Sequence, residues 1–309
     1  MTWRRWIRGV CVAACGVMLA GCEPDALSHN GVVAVFGGVG RGPAEFSYPR
    51  AIAAEPEGSV FVVDKAGRVQ RFSAEGVYEL EWTMPETAHG KPVGLAVHPD
   101  GRLFVADTHY HRVMIFDRDG RPVGHFGEQG RGPGQMELPT AVTFDRKGYI
   151  YVSEYQGNDR ITKWSPALEY VGAIGETPVE GERLRRPAGI EVDDDGVLWV
   201  ADACNHRIVA FDESGKAVRV FGRFGKEEGL LDYPYDLSLT PDGQMVMVCE
   251  FGSNRLQWFR KDGTFVKSWG RSGREPGCLW APWGAIYGPG GRVYVVDSLN
   301  SRIQVVRAE

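Results

Sequence analysis

Residues 198–211 read LWVADACNHRIVAF, in which an apolar run ends in Asp202, a polar stretch ends in Arg207, and a second apolar run follows. This order occurs six times along the chain. The six carboxylates are spaced 43 to 48 residues apart: Asp64, Asp107, Glu154, Asp202, Glu250 and Asp297. The arginines that follow them are Arg68, Arg112, Arg160, Arg207, Arg255 and Arg302. Self-similarity at such a period is typical of a repeat architecture.

Each copy also carries turn residues at matching places. In the second copy, Pro92 opens an apolar segment, and Pro99-Asp100-Gly101 separates that segment from the carboxylate run. A glycine turn between two apolar runs indicates a β-hairpin, and a further glycine, Gly120, follows the second run. One copy therefore predicts four short strands, as in a propeller blade. The sequence predicts an all-β fold, a six-bladed β-propeller over residues 32–309.

The sixth copy contains only three of the four strands, while Val32–Gly37 forms an apolar segment ahead of the first copy. We expect this segment to complete the last blade, since it resembles the fourth strand of other copies and would pair an exposed sheet edge. The fifth copy has one extra residue between Gly243 and Glu250. We expect a β-bulge to absorb it.

Two features of the repeat resemble NHL repeats. They are the Asn205-His206-Arg207 sequence after the carboxylate and the Phe-Gly-x-x-Gly run between copies, as at 221–225. The resemblance covers nearly all of residues 32–309 and implies a propeller. Proteins with NHL repeats include a lyase of amidated-peptide synthesis, RNA-binding modules, receptor ectodomains and exported bacterial proteins, so the resemblance implies no single function.

The start of the chain resembles a bacterial lipoprotein signal peptide. Three arginines precede an uncharged, apolar stretch at 9–21, which is shorter than the roughly 20 residues that a membrane-spanning helix needs. Residues 19–22 read Leu-Ala-Gly-Cys, the pattern of a lipobox. The resemblance implies a signal peptide over residues 1–21, lipidation of Cys22, and a short tether over residues 22–31.

A protein of this kind is expected in the cell envelope, held by its lipid. Glu23 stands where an aspartate would favour the inner membrane, so the outer membrane is weakly favoured. The formal net charge of −5 argues against a nucleic-acid partner, because such binding rests on lysines and arginines that neutralise phosphates. The expected partners are the membrane, through the lipid, and an envelope protein, peptide or glycan.

The recurring carboxylates and arginines are interpreted as structural, since six copies of a catalytic pair would serve no purpose in one enzyme. We expect each pair to form a bidentate ion pair beside a hairpin loop. Three cysteines follow Cys22, namely Cys204, Cys249 and Cys278. The sequence leaves open whether Cys204 and Cys249 form a disulfide.

Residues that differ among the copies are better candidates for a ligand site. The residue after each blade-opening proline should face the channel mouth, and these residues are Arg50, Val93, Thr140, Ala188, Tyr235 and Trp283. The ligand-binding candidates are Arg50, Thr140, Tyr235, Asp236, Trp280 and Trp283. Aromatic and charged side chains suit a sugar ring or an extended peptide. In the alternative interpretation, some rings, such as Tyr48 and Tyr233, pack between blades.

Four histidines are candidate metal ligands on the same face: His89, His109, His111 and His206. Three imidazoles with a carboxylate could bind zinc or another transition metal, and the amidation lyase that shares the implied fold uses metal and histidine. His111 and His206 directly precede recurring arginines, however, where NHL repeats often carry histidine. A structural role for these two is the alternative, and no other cofactor is predicted.

The sequence lacks the Gly-x-Ser-x-Gly, His-Glu-x-x-His and Gly-x-x-x-x-Gly-Lys motifs of common catalytic sites. It therefore favours a non-enzymatic, envelope-anchored binding or scaffold module whose protein, peptide or carbohydrate partner engages the channel mouth. The alternative is a metal-dependent lyase or hydrolase with its site on the same face of the propeller.

Overall fold

Six four-stranded antiparallel sheets surround a central channel in the computed structural model, which describes residues 31–55, 58–176 and 183–307. This arrangement confirms the all-β, six-bladed β-propeller. The expected signal peptide, Cys22 and residues 22–30 of the tether lie outside the described residues. Within the described part of the chain, no helix is long and apolar enough to cross a membrane.

Each blade runs from a first strand at the channel to a fourth strand at the rim, and β1 (Val32–Gly37) precedes the first blade. Blade 1 contains β2 (Pro49–Ala54), β3 (Val60–Asp64), β4 (Arg68–Phe72) and β5 (Tyr78–Thr83). Blade 2 contains β6 (Gly94–Val97), β7 (Leu103–Asp107), β8 (Arg112–Phe116) and β9 (Pro122–Phe126). The parallel pair β10 (Glu128–Gln129) and β11 (Gln135–Met136) lies in the loop that follows.

Blade 3 contains β12 (Pro139–Phe144), β13 (Ile150–Glu154), β14 (Arg160–Trp164) and β15 (Tyr170–Ile174). Blade 4 contains β16 (Pro187–Val192), β17 (Leu198–Asp202), β18 (Arg207–Phe211) and β19 (Ala217–Phe221). Blade 5 contains β20 (Pro234–Leu239), β21 (Met245–Glu250), β22 (Arg255–Arg260) and β23 (Phe265–Trp269). Blade 6 contains β24 (Gly284–Tyr287), β25 (Arg292–Asp297) and β26 (Arg302–Arg307). Short 3-10 helices lie at Thr108–Tyr110, Ala203–Asn205, Pro289–Gly291 and Ser298–Asn300.

The inner strands are buried more completely than the rim strands. All five residues of β17 are buried, whereas those of β5 alternate between half-buried and exposed. Neighbouring blades pack face to face, so an inner strand is covered on both of its faces. The core therefore consists of layers between blades, as where Trp199 of blade 4 meets Leu237 and Phe259 of blade 5.

The first strand of the chain completes the last blade. Strand β1 pairs antiparallel with β26, so that Val35 lies opposite Gln304 and Gly37 lies opposite Arg302. The sheet order from rim to channel is β1, β26, β25 and β24. This confirms the expected closure, which pairs the outer edge of β26.

The structure places all six recurring carboxylates and arginines in ion pairs, with closest N–O distances from 2.6 to 3.3 Å. Two contacts join Arg255 to Glu250, at 2.6 and 3.5 Å. In blade 1, a single contact of 2.9 Å joins Arg68 to Asp64. There the expected bidentate geometry is wrong, because Nη1 of Arg68 donates to the Arg41 carbonyl and Nη2 also donates to the Glu45 carbonyl, each at 2.6 Å, in the loop that enters the blade.

The extra residue of blade 5 lies in a turn. The Thr240 N–H donates to the Met245 carbonyl at 3.0 Å, five residues on, whereas the equivalent bond in blade 4 joins Asp193 to Val197, four residues on. Strand β21 pairs with β22 without a register shift. The expected bulge is therefore wrong, because a longer hairpin turn absorbs the residue without disturbing this strand pair.

Cys204, Cys249 and Cys278 are free thiols in the described part of the chain. Cys249 and Cys278 are buried, and Cys204 is half-buried. Burial raises the pKa of both the Cys204 and the Cys249 thiol. Cys204 and Cys249 thus form no disulfide in this structure.

Candidate functional site

The channel opens at the face where each blade begins, and the chain enters the blades there through a strained residue. In five blades, the residue before the opening proline has a positive φ: Tyr48, Leu138, Arg186, Tyr233 and Ala281. This left-handed conformation is unfavourable for residues other than glycine. The sharp turn of the chain places Arg186, which precedes its proline, at the channel mouth. The residues that follow the prolines line the mouth as well.

The first strands of all six blades line one cavity of about 670 Å³, which lies within the range of roughly 300–1,000 Å³ that is typical of ligand sites. Small residues occupy the second position after the proline in five blades: Ala51, Gly94, Ala141, Gly189 and Gly284. A Cβ atom on Gly94 would clash with the backbone of Thr140 in the next blade. The first strands of neighbouring blades therefore approach closely. In blade 5 the equivalent position is Asp236, which has a longer side chain.

Two arginines lie at the mouth among aromatic rings. The Arg50 guanidinium lies 5.3 Å from the centre of the Trp283 ring. The Arg186 guanidinium lies 4.9 Å from the centre of the Tyr235 ring and 5.3 Å from that of Tyr155. Cation–π contacts of this kind hold a guanidinium in place without neutralising its charge.

Neither guanidinium has a carboxylate at ion-pair distance among the described residues. The carboxylate of Asp159 accepts the backbone N–H of Arg186, at 2.9 Å, and does not contact its side chain. The Nε atom of Arg50 is buried without a hydrogen-bond partner. Burial lowers the pKa of Arg50, and the hydroxyl groups of Tyr48 and Tyr155 act in the opposite direction. The mouth therefore holds two positive charges that the described protein does not pair.

An aromatic cluster supports these arginines. The Tyr235 and Phe251 rings are stacked, with centres 4.6 Å apart. The Trp283 ring meets the rings of Tyr235, Tyr48 and Phe251 at steep angles, with centres 5.2 to 5.8 Å apart. The cluster thus joins blades 5, 6 and 1, and it fixes the ring against which each guanidinium rests.

Asp236 lies deeper in the channel, between two glycines. Its Oδ2 accepts the Ala285 N–H at 3.1 Å, and a Cβ atom on either Gly189 or Gly284 would collide with its carboxylate. Burial raises the pKa of Asp236 to about 7, and the charge of Glu191 raises it further, while the hydrogen bonds from Ala285 and Leu237 lower it. Near neutral pH, this carboxyl is therefore partly protonated.

Glu191 is a second carboxyl in the same cavity, two residues further along its strand than the level of Asp236. Burial raises its pKa to about 7, against hydrogen bonds from the Leu239 N–H and the Ser238 hydroxyl. The bond from Leu239 measures 2.9 Å. The cavity thus has a positive mouth and an acidic interior.

Five of the six sequence candidates line the cavity. Arg50, Tyr235, Asp236 and Trp283 line the cavity. Thr140 also lines it, but its hydroxyl bonds to the Ser153 hydroxyl at 2.8 Å and donates to the Pro187 carbonyl at 3.2 Å. Trp280 lies outside the cavity lining, 41% exposed, with the guanidinium of Arg274 4.7 Å from the centre of its ring. Of the two other rings, Tyr48 packs on Trp283, and Tyr233 is exposed.

Sequence reasoning missed four residues of this site: Arg186, Tyr155, Phe251 and Glu191. A signal for two of them exists in the repeats, since Tyr155 and Phe251 directly follow the recurring carboxylate, where the other copies carry no ring. Arg186 directly precedes a blade-opening proline.

The four candidate histidines lie apart or serve the backbone. Nδ1 of His111 accepts the Leu138 N–H at 3.3 Å, and Nδ1 of His206 accepts the Tyr233 N–H at 3.2 Å. Nδ1 of His109 accepts the Lys91 N–H at 3.2 Å. The His89 ring lies beside Tyr110. Across residues 31–55, 58–176 and 183–307, no three histidine, cysteine or acidic side chains form a group that could hold a metal ion.

Two stretches of the chain are similar to the NHL repeat. The family profile with this description matches residues 90–116 and 184–211, which include His111 and His206. The match supports the resemblance seen in the repeat sequence, and it assigns both histidines to the repeat pattern.

Two curated relatives and one solved structure illustrate the similarity. "Protein brain tumor" of Drosophila melanogaster is 32% identical over 153 residues, which are 49% of this chain and 14% of that protein. "NHL repeat-containing protein 3" of Mus musculus is 26% identical over 220 residues, which are 62% of this chain and 59% of that protein. A streptogramin B lyase has the same fold, with a TM-score of 0.63 and 16% identity, covering 89% of this chain and 97% of that one.

Proposed function

We propose that this chain is a binding module whose partner protein docks on the propeller face that contains the channel mouth. The observation that carries the proposal is a set of exposed apolar side chains on the loops of this face: Val39, Phe224, Tyr233, Trp280 and Leu299. Exposed apolar surface beside a cavity is typical of an interaction site. The similarity to the NHL repeat adds support, since such repeats commonly mediate protein interactions.

The apolar side chains continue into the mouth. The rings of Phe224 and Tyr233 lie 4.8 and 4.6 Å from the His206 ring, measured between centres. Tyr233 in turn lies 6.5 Å from Tyr235, which lines the cavity. A partner that covers Phe224 and Tyr233 would therefore reach the arginines at the mouth.

The proposed setting is the cell envelope, and its support comes from the sequence. The signal peptide over residues 1–21 and the lipobox that ends at Cys22 indicate export and a lipid anchor, and Glu23 weakly favours the outer membrane over the inner one. The tether over residues 22–31 reaches ~30 Å at most when it is fully extended. The partner would accordingly be another component of the envelope.

Cross-linking of the tagged, full-length protein in its own cells tests the binding function. We expect one or more partners that mass spectrometry identifies repeatedly, and that are lost from the double variant Phe224→Ala and Tyr233→Ala. The matched control is Val77→Ala with Val171→Ala, which removes exposed apolar groups at 63% and 51% exposure away from the mouth. Equal recovery of the partner from both double variants would refute the docking face.

A metal-dependent lyase or hydrolase is the second candidate, and the named lyase shares only the fold with this chain at 16% identity. No grouping of metal ligands among the described residues favours it. Metal analysis of the protein, purified without chelators, tests it directly. We expect well below one equivalent of any transition metal, and a full equivalent would favour the lyase or hydrolase instead.

A further inference from the structure

The two arginines at the channel mouth carry a more specific inference, which rests on the proposed binding function. We propose that Arg50 and Arg186 together bind a carboxylate of the partner protein, presented by a chain end or by an acidic side chain. Both arginines line the cavity. Neither guanidinium has a carboxylate at ion-pair distance within the described ranges.

The rings at the mouth orient the two guanidinium groups. The Arg50 guanidinium lies over the Trp283 ring, and the Arg186 guanidinium lies over the rings of Tyr235 and Tyr155. A cation–π contact uses none of the guanidinium N–H groups as hydrogen-bond donors to a carboxylate, so they remain available to an oxyanion. Because the rings belong to a packed cluster, both arginines are held in position before a ligand arrives.

The buried Nε of Arg50 is a donor without an acceptor. A buried donor of this kind is costly to leave unpaired. The Nη groups of Arg50 would donate charge-assisted hydrogen bonds to a carboxylate at the mouth, and Arg186 would donate to it from its own side. The positive charge of Arg50 would thereby gain the counter-charge that it lacks among the described residues.

The occupied rings favour a peptide carboxylate over a sugar. The Tyr235 ring is stacked against Phe251 and lies under the Arg186 guanidinium, and the Trp283 ring lies under the Arg50 guanidinium. A sugar would need one of these rings as a stacking surface, whereas a carboxylate needs only the guanidinium edges. The exposed apolar side chains around the mouth also suit a protein surface.

The acidic interior favours a group with a single negative charge. Asp236 and Glu191 lie deeper in the same cavity, and Asp193 lies at its far end, paired with Lys261 at 2.8 Å. Any ionised fraction of these carboxyls repels a second negative charge on the ligand. A carboxylate is therefore a better fit than a phosphate dianion.

Calorimetric titration of the full-length protein tests the inference with defined probes. The probes are N-acetyl-dialanine with a free carboxylate and its C-terminal amide, and N-acetyl-Ala-Glu-Ala amide and its glutamine counterpart. We expect binding of the acids and not of the neutral counterparts. Arg50→Gln and Arg186→Gln should each weaken binding at least about tenfold. Arg146→Gln should change it less than about twofold, because Arg146 lines the same cavity but pairs with Asp194 at 2.6 Å.

Arg50→Lys and Arg186→Lys keep the charge and lose the planar fork, so they should also weaken binding if either glutamine variant fails to fold. Equal affinity for acids and amides, or unchanged affinity in the arginine variants, would overturn the proposal. Tighter binding of inorganic phosphate or of D-glucuronate than of both peptide acids would also overturn it. If the acids bind but no partner is cross-linked in cells, the carboxylate site stands and the docking function fails. If the cross-linked partner is retained by both arginine variants, the reverse holds.

Discussion

The guanidinium of Arg186 lies 4.9 Å from the centre of the Tyr235 ring. Arg186 enters blade 4, Tyr235 belongs to β20 of blade 5, and Tyr155, the second ring beside this guanidinium, follows β13 of blade 3. One side chain thus connects three consecutive blades at the channel mouth. Each such contact contributes about 0.5–2 kcal/mol, so the position of Arg186 is a property of the ring of blades and not of one repeat.

Substitution of Arg50 should separate the effect of this residue on stability from its effect on binding. We expect Arg50→Leu to raise the free energy of unfolding, or to leave it unchanged, because its buried Nε has no partner and its burial is unfavourable. Urea unfolding measures the effect. The control is Arg68→Leu, which removes an arginine paired with Asp64 and should cost about 3–5 kcal/mol. A similar loss in both variants would show that Arg50 has a structural role.

The recurring ion pairs should be essential for stability. Asp202 is fully buried and accepts hydrogen bonds from Arg207, Asn205 and the Arg185 N–H. We expect Asp202→Ala to lower the free energy of unfolding by about 3–5 kcal/mol, because Arg207 would be left without the buried carboxylate that pairs with it. Glu213→Ala, which removes an exposed ion pair with Lys147, should cost far less, because solvent screens this pair. Equal urea midpoints for Asp202→Ala and the wild type would contradict the structural interpretation.

The channel carboxyls should make stability depend on pH. The pKa of Asp236 is raised to about 7, above the ordinary value of about 4. Between these values the folded protein retains a proton that the unfolded chain has released, so the free energy of unfolding falls as pH rises through this window. Asp236→Asn should therefore gain stability relative to the wild type from about pH 4 to pH 7, with a plateau above.

Urea unfolding across this pH range measures the difference between Asp236→Asn and the wild type. Asp212→Asn is the control of opposite sign, since hydrogen bonds from Ser214 and Lys216 lower the pKa of Asp212. That variant should be less stable than the wild type at neutral pH, and the difference should shrink as pH falls below about 4. A pH-independent difference for Asp236→Asn would rule out the retained proton.

The glycine beside Asp236 should be coupled to it. A Cβ atom at Gly284 would lie 2.7 Å from Oδ2 of Asp236, with no backbone atom among its nearest neighbours. We expect Gly284→Ala to cost about 1–3 kcal/mol in the wild type and clearly less in the Asp236→Ala background. A double-mutant cycle measures this coupling. Additive effects of the two substitutions would mean that the carboxylate does not occupy this space.

The repeated features of this fold could be predicted from sequence, because six copies make each one visible several times. The blades, the ion pairs and the closing role of Val32–Gly37 all follow from comparison between copies. The residues of the candidate site do not repeat, since Arg186, Phe251 and Glu191 each occur in one copy only. Their meeting depends on how the first strands converge on the channel, which is a property of the closed ring.

Trp280 is a residue that the sequence wrongly assigns to the candidate site. The sequence places it near the mouth, and its backbone N–H does donate to Asp297 at 2.8 Å. Its ring nevertheless lies outside the cavity lining, beside Arg274. The direction of a loop side chain depends on local packing, which a repeat comparison does not report.

Strand β1 also determines which way the propeller is presented. Gly37 pairs with Arg302, which lies at the mouth end beside Asp297, while Val32 pairs with Val306 at the opposite end. The chain thus enters the propeller from the face remote from the mouth. With the proposed lipid at Cys22, the protein would be attached to the bilayer through the face opposite the mouth. The mouth would then face away from that bilayer.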